Sequence, residues 1–309
     1  MLTLAQAIKI YPGDYTEIEQ LSGGHIHKTY RVKCTDGKSL IFQQFNLSVF
    51  KRKDLVENNY LRSLKVLERN NIFLLPFYIN KQGGIFFEGD WRICEYLENS
   101  TTSEICKSEK MAFEAGRISG SFLKALSKES GYPFIIDNFH SPSFRFKALP
   151  KYTEETKKLF SEIDTLKSEA LRLEKKPFSI THNDLKLTNI LFVGDEAKAV
   201  IDLDLIQPGS PEIDFGDLLR SVGTKGVEDQ FSEADMSLVS SCISGFISSG
   251  VSFDPEFLAL SPFVVSWTLG VRFLTDYLSG DIYFTTHYPK QNLKRAEAQI
   301  ARAKMWLEK

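Results

Sequence analysis

Asp184, Asn189 and Asp202 are spaced as phosphoryl chemistry would need them. His182, Asp184 and Asn189 follow the order His-x-Asp-x-x-x-x-Asn, and Asp202 closes an apolar run that comes after them. A hard divalent cation such as Mg²⁺ takes oxygen ligands, commonly one or two carboxylates, and phosphate oxygens complete its shell. Asn189 and Asp202 can supply the protein's share of that shell. Asp184 is then left to orient a hydroxyl and accept its proton. Positioning of this kind, with charge neutralisation, carries most of the catalysis in phosphoryl transfer. Asp and Asn side chains also form plain turns in loops, and any one of these residues alone would be read that way. The whole octad followed by an apolar hairpin is much harder to obtain by chance. His182 is expected to pack and hydrogen-bond within this loop rather than to titrate.

The elements that must position these groups can be read around them. Apolar, β-favouring runs at 190–193 and 199–203 flank Gly194-Asp195-Glu196 and predict a hairpin. A hairpin returns its second strand to the start of its first. Asp202 therefore comes back beside Asn189, with Asp184 on the loop just before. Asp204, two residues on, reads as lying on the same strand face as Asp202. Residues 207–211, Gln-Pro-Gly-Ser-Pro, read as a turn region. Asp214-Phe215-Gly216 follows, but the hairpin argument makes Asp202, not Asp214, the metal-binding carboxylate. Near the N-terminus, 17–21 and 29–34 read as strands around Ser22-Gly23-Gly24-His25. Glycines in such a turn let backbone N–H groups approach a phosphate closely. Gly23 and Gly24 are therefore nucleotide-binding candidates, although a bare Gly-Gly pair is usually only a turn.

His182-Asn183-Asp184, Asn189 and Ile201-Asp202 resemble the catalytic loop and metal-binding Asp of the aminoglycoside phosphotransferase group within the protein-kinase-like fold. Further blocks are together similar to the N-acetylhexosamine 1-kinases. They are Gly23 to Tyr30, Ile41 to Asn46, Ile201-Asp202-Leu203-Asp204, Asp214-Phe215-Gly216-Asp217 and Gly270 to Leu278. The octad marks the superfamily, and the last block points to the subfamily.

The resemblance implies an α+β, two-lobed protein-kinase-like fold. Its small antiparallel-sheet N-lobe would span 1–98 and bind the nucleotide, and its mainly helical C-lobe would span 99–309. It implies ATP and Mg²⁺, and phosphorylation of the anomeric hydroxyl of N-acetylglucosamine or N-acetylgalactosamine. Gln43 stands where kinases carry a strand Lys that holds the α- and β-phosphates. An amide can donate to phosphate but brings no charge, and Lys28 is a candidate to compensate. Without that Lys, Glu57 on the next helix has no ion-pair partner and is expected to be solvated. Glu95, Tyr96 and Leu97 fall where the lobes join and where kinase backbone groups read the adenine edge. Asp214 would brace the catalytic loop from below, with Arg220 paired to a nearby acid. His25, Asp204 and Arg272 would surround the sugar ring. His27 stands where the family normally has Asn.

Helical periodicity covers 53–70, with Leu55, Asn58, Asn59, Leu61, Leu64 and Leu67 near one face. Segments 74–79, 84–88 and 91–97 read as strands completing the small sheet. Helices follow over 108–127, where Gly116, Ser119 and Gly120 suggest close packing, and over 153–174, 264–278 and 292–307. The 309 residues are 42% hydrophobic and 25% charged, ordinary for a soluble enzyme of this size. A net charge of −2 speaks against a nucleic-acid binder. Cys34, Cys94, Cys106 and Cys242 are scattered without a Cys-x-x-Cys pair, so neither a zinc site nor a disulfide framework is indicated. No signal-like start and no apolar run of roughly eighteen residues occurs. A cytoplasmic location without a membrane partner is the expectation.

Two rival readings fit the same residues. One keeps the chemistry and changes the acceptor to an aminoglycoside, choline, homoserine or another small hydroxyl compound. Aminoglycosides are polycations and meet acidic pockets, so the discriminator is whether the acceptor cleft is acidic or mixes Arg272 with aromatics. The other rival is a nucleotide-binding pseudokinase. Gln43 favours it, and the intact Asp184, Asn189 and Asp202 oppose it.

Overall fold

Four strands in the N-terminal third pair in simple sequence order. They are β1 (Tyr15–Gln20), β2 (Lys28–Cys34), β3 (Ser39–Gln44) and β4 (Trp91–Glu95), all antiparallel. The computed structural model describes residues 4–10, 14–21, 26–175, 178–225, 228–251 and 256–309. Gly37 turns β2 into β3 at φ 89°, a left-handed conformation that costs glycine little. A short helix α1 (Leu4–Ala7) lies against this sheet. Ala7, Ile8, Val32, Leu40, Phe42, Trp91 and Ile93 form the N-lobe's own small core.

Helix α2 (Lys53–Arg69) joins β3 to β4. Its buried face is Val56, Asn59, Tyr60, Ser63, Val66 and Leu67, rotated from the face expected from its leucines. Asn59, expected on the packed face, anchors it: its amide donates to Pro133 O (3.0 Å) and Ile206 O (2.8 Å). The helix docks on C-lobe main-chain carbonyls, and Leu61 and Leu64 pack at the margin. Glu57 is not solvated as expected. Its Oε1 accepts the N–H of Ile85 at 2.6 Å. That contact also bears on the strands expected at 74–79 and 84–88, which make only isolated bridges, Phe77 to Cys94 and Phe87 to Trp91. Pro76 has no N–H to give a ladder, and the Ile85 N–H is committed to Glu57.

The C-lobe is mainly helical. Ser108 caps α3 (Glu109–Leu126) by accepting from Met111 N at 3.0 Å. After α4 (Pro142–Lys147) and α5 (Lys157–Ala170) come the short strands β5 (Ser179–Thr181), β6 (Ile190–Val193), β7 (Glu196–Val200) and β8 (Gln207–Gly209). The helices α6 (Pro211–Gly223), α7 (Met236–Ser248), α8 (Glu256–Leu278) and α9 (Gln291–Leu307) complete the chain. Helix α3 lies close on α7: a Cβ added to Gly116 would sit 2.0 Å from Cys242 O. The expected turn at 207–211 is partly strand, since β8 pairs with β5 and sets Pro208 opposite Ile180. A two-stranded ribbon tolerates Pro where no N–H is needed. The large core runs through Phe122, Phe215, Phe246, Trp267 and Trp306. Among the described residues no helix is long and apolar enough to cross a membrane.

Two features fix the site between the lobes. The β6–β7 hairpin pairs Ile190 with Val200. The chain leaving the N-lobe is hydrogen-bonded to it, because Thr101 and Phe192 exchange N–H···O bonds of 2.9 Å.

Candidate active site

Residues 182–189 form the loop between β5 and β6, and its backbone is held from within. His182 is fully buried. Its Nδ1 accepts the Asp184 N–H at 3.2 Å, so Nε2 carries the proton and donates to Ile201 O at 2.8 Å. That neutral tautomer ties the loop to the end of β7, the packing role expected of His182. Asn183 takes the left-handed φ of 65°. Its amide donates to the carbonyls of Thr181, Leu205 and Gln207 at 3.0–3.2 Å. Asp214, in the first turn of α6, accepts from His182 N and Asn183 N, both at 2.7 Å. Burial pushes its carboxyl well above the usual carboxylate range, against those two N–H bonds. Arg220 pairs with Asp217 at 2.6 Å. Asp214→Ala would leave two buried N–H groups unpaired, at about 1–3 kcal/mol each. Chemical denaturation should register that loss of stability, and an unchanged midpoint would remove Asp214 from this bracing position.

The loop delivers Asp184 to the cleft. Its Oδ2 accepts from Asn189 Nδ2 at 2.9 Å and lies 3.0 Å from Lys186 Nζ. Burial raises the Asp184 carboxyl, but the Lys186 charge and the bonds from Lys186 and Asn189 bring it below the ordinary value. It is therefore ionised and able to accept. Burial lowers Lys186, and the charges of Asp184 and Asp217 more than offset this, so it stays cationic. Sequence reasoning passed over Lys186, although it sits inside the octad, two residues from Asp184.

The β6–β7 hairpin brings Asp202 back beside Asn189. Ile201 N donates to Asn189 O at 2.9 Å, and the next residue is Asp202. The Asn189 amide nitrogen is committed to Asp184, which leaves its oxygen as the remaining acceptor. Asp202 is exposed to the cleft yet crowded by protein on its other sides. Desolvation there, with the charges of Asp204 and Asp184, raises its carboxyl.

Asp204 was expected beside the acceptor and is not there. Asp202 adopts φ 62°, ψ 56°, and a 3₁₀ turn, Leu203–Leu205, follows, so strand alternation has already ended. Asp204 is turned under the N-lobe and is 1% exposed. Its carboxylate accepts both ends of the Arg92 guanidinium (2.5 and 2.6 Å) and pairs with His27 Nε2 at 2.7 Å. Arg92 and His27 hold it below the usual carboxylate range despite burial. His27 Nδ1 accepts the Asn46 N–H at 3.1 Å, and the ring stacks on Phe45. Arg92 Nε also donates to Gln43 Oε1 at 2.7 Å, across the β3–β4 register that pairs the two residues. The cation next to Gln43 is thus Arg92, not Lys28, which is exposed. His27, Asp202 and Asp204 bring ligand-type atoms within 4.8 Å of one another. His27 and Asp204 are committed to each other, so Asp202 is the donor left to a metal.

Where the lobes join, Tyr96 N donates to Ser39 O at 2.9 Å, so this amide belongs to the sheet. The remaining expected contacts, Gly23, Gly24 and His25, lie outside the described residues.

On the C-lobe side, Arg272 of α8 stands among aromatic rings. Its guanidinium carbon is 5.3, 5.8 and 5.4 Å from the ring centres of Phe139, Tyr283 and Phe284. Asp276, one turn further along α8, builds that wall by accepting from the backbone N–H groups of Ile282, Tyr283 and Phe284 at 2.8–3.0 Å. His140, next to Phe139, donates from Nε2 to Asn183 O at 2.7 Å and so ties the aromatic wall to the catalytic loop.

A small sheet lobe over a helical lobe, with an Asp–Asn octad and a returning Asp between them, defines a kinase-like phosphotransferase. Residues 17–236 match the model of the phosphotransferase enzyme family, and the chain belongs to that family, whose members are ATP-dependent phosphotransferases acting on small molecules. Its fold is similar to that of spectinomycin phosphotransferase, solved with ADP and spectinomycin (TM-score 0.65, 14% identity, 100% of this chain and 99% of the other). An amicoumacin kinase solved in complex with AMP-PNP, Ca²⁺ and Ami is also similar (TM-score 0.65, 12% identity, 96% of this chain and 92% of the other). So is a choline kinase from Streptococcus pneumoniae (TM-score 0.61, 13% identity, 94% of each chain).

Proposed function

We propose that the protein transfers the γ-phosphoryl group of ATP to the anomeric hydroxyl of an N-acetylhexosamine. The observation that carries the acceptor reading is Arg272 in its aromatic surround beside the catalytic loop. A polycationic aminoglycoside calls for an acidic cleft, and this one combines a guanidinium with aromatic faces. Aromatic faces cover the apolar side of a sugar ring, and the guanidinium donates to its oxygens.

Asp184 orients the sugar hydroxyl. The C1 oxygen attacks the γ-phosphorus, the bond from that phosphorus to the β,γ-bridging oxygen breaks, and ADP leaves with the electron pair. The hydroxyl proton passes to the Asp184 carboxylate. Lys186, 3.0 Å from Asp184, would offset the charge of the transferring phosphoryl oxygens. Asn189 and Asp202 would hold Mg²⁺, which when bound neutralises the nucleotide's phosphate charge. Glu95 and Leu97 would meet the adenine edge with backbone groups. Gly23 and Gly24 would approach the phosphates, and His25 the sugar.

Two tests follow. ADP release should be measured with N-acetylhexosamines, neutral hexoses, aminoglycosides and choline as acceptors. Hexosamine turnover is expected, and turnover confined to choline or aminoglycosides would contradict the assignment. Arg272→Ala should raise KM for the sugar far more than KM for ATP. Asp202→Ala should remove the Mg²⁺ dependence of nucleotide binding in a calorimetric titration. Unchanged Mg²⁺-dependent binding in that variant would take Asp202 out of the metal site.

A further inference from the structure

We infer that the acceptor sugar carries an anionic substituent, a carboxylate or a phosphate, bound by Arg145 and Arg272 away from the reacting hydroxyl. This rests on the sugar-kinase reading above and narrows its substrate class.

Two cations from separate elements converge on one ring. Arg272 comes from α8 and Arg145 from α4, and their guanidinium carbons lie 5.3 and 6.0 Å from the Phe139 ring centre. Both side chains are half-buried. Arg145 donates Nε and Nη2 to a single carbonyl, Phe139 O, at 3.2 and 2.9 Å. Arg272 meets no hydrogen-bond acceptor and neither arginine meets a carboxylate among the described residues.

The neighbouring acids are already taken. Asp276 accepts three backbone N–H groups and the Asn292 amide. Glu155 is held by Tyr277 and Lys290, and Asp217 by Arg220. Two like charges in a partly desolvated, aromatic-walled site oppose each other. Arg145 bears the mark of this: burial, and then the Arg272 charge, pull it down to about 10. Stacking on aromatic faces offsets part of that opposition, but it supplies no counter-charge. A neutral hydroxyl would not supply one either. A carboxylate or phosphate would, accepting paired N–H groups from either guanidinium. A cationic acceptor such as choline would be repelled by the same pair.

The position suits an acceptor substituent. Phe139 is followed by His140, whose ring bonds Asn183 O, one residue before Asp184. His140 itself lies within the fields of both Arg272 and Asp184.

The test uses the full chain, first with two pairs of sugars, each a neutral sugar and its acidic counterpart. The probes are N-acetylglucosamine, N-acetylglucosamine 6-phosphate and glucuronate, with glucose as neutral partner to the last, and then glycerate, choline and an aminoglycoside. Titration calorimetry in the presence of ADP and Mg²⁺ gives affinities, and ADP release gives kcat/KM. At least one acidic sugar should be preferred about 10- to 100-fold over its neutral partner, the size of effect that charge-assisted hydrogen bonds give. Preference for the 6-phosphate identifies a phosphate, and preference for glucuronate a carboxylate. Arg145→Gln and Arg272→Gln should each erode that preference without changing KM for ATP, with thermal unfolding showing that both variants fold. Equal binding and turnover of neutral and acidic sugars would overturn the inference and leave the sugar-kinase reading in place. Turnover of glycerate with no sugar accepted would overturn the sugar reading and keep the anion site. Turnover of choline or an aminoglycoside would overturn both.

Discussion

Asp184→Asn lowers kcat by about 10²–10⁴-fold, the contribution of a positioned general base, while ATP binding stays close to that of the unchanged protein. The reasoning is steric as well as chemical. An amide at this position keeps the shape and can still accept from Asn189 Nδ2, which now approaches Asp184 Oδ2 at 2.9 Å. It cannot take up a proton, and its contact with Lys186 loses the charge. Because the nucleotide is held by other groups, kcat and the acceptor kcat/KM should fall together, the mark of an interaction made in the transition state. Retention of most of the turnover would remove Asp184 from the role of base.

Arg92→Ala destabilises the fold by about 3–5 kcal/mol, the loss typical of breaking a buried ion pair from one side. Arg92 and Asp204 are each 1% exposed, and their bidentate contact joins β4 of the N-lobe to the turn after the catalytic hairpin. Removing the guanidinium leaves the Asp204 carboxylate with His27 alone and frees Gln43 Oε1 from Arg92 Nε. Replacing both partners, Arg92→Met with Asp204→Leu, should cost much less, because paired charges exchanged for apolar groups of similar volume are often near neutral. Equilibrium unfolding of the two single variants and the double variant measures the coupling. A loss below about 1 kcal/mol for Arg92→Ala, within the range of surface pairs, would mean that this contact does not hold the lobes together.

The contrast between these two sites explains what could be read in the sequence. Asp184, Asn189 and Asp202 are brought together by a short loop and a tight hairpin, both encoded locally. The bracing by Asp214 was reached through the same hairpin argument, combined with resemblance. Arg92 lies 112 positions from Asp204, and nothing local announces the pairing. The one available signal was a charge inside the apolar run Trp91-Arg92-Ile93-Cys94, where a buried cation needs a partner. Asp204 was misplaced because strand alternation was carried past Val200, the last residue of β7, into a left-handed residue and a 3₁₀ turn. The α2 face was foreseen at Asn59 and Leu67 but not at Val56, Tyr60, Ser63 and Val66, which turn inward as the Asn59 amide meets two carbonyls in the other lobe. Arg272 was singled out from a sequence block, but its aromatic wall depends on Phe139 and on a loop held by Asp276, which only the fold assembles.

The central claim is that this site moves a phosphoryl group from ATP to the anomeric oxygen of a sugar. Phosphorus NMR of a reaction containing the protein, ATP, Mg²⁺ and an N-acetylhexosamine, neutral or acidic, tests it most directly. The account predicts a new phosphomonoester resonance coupled to the anomeric proton, growing in step with ADP and absent with Asp184→Asn. Formation of inorganic phosphate alone, or of an ester at a carbon other than C1, would contradict it.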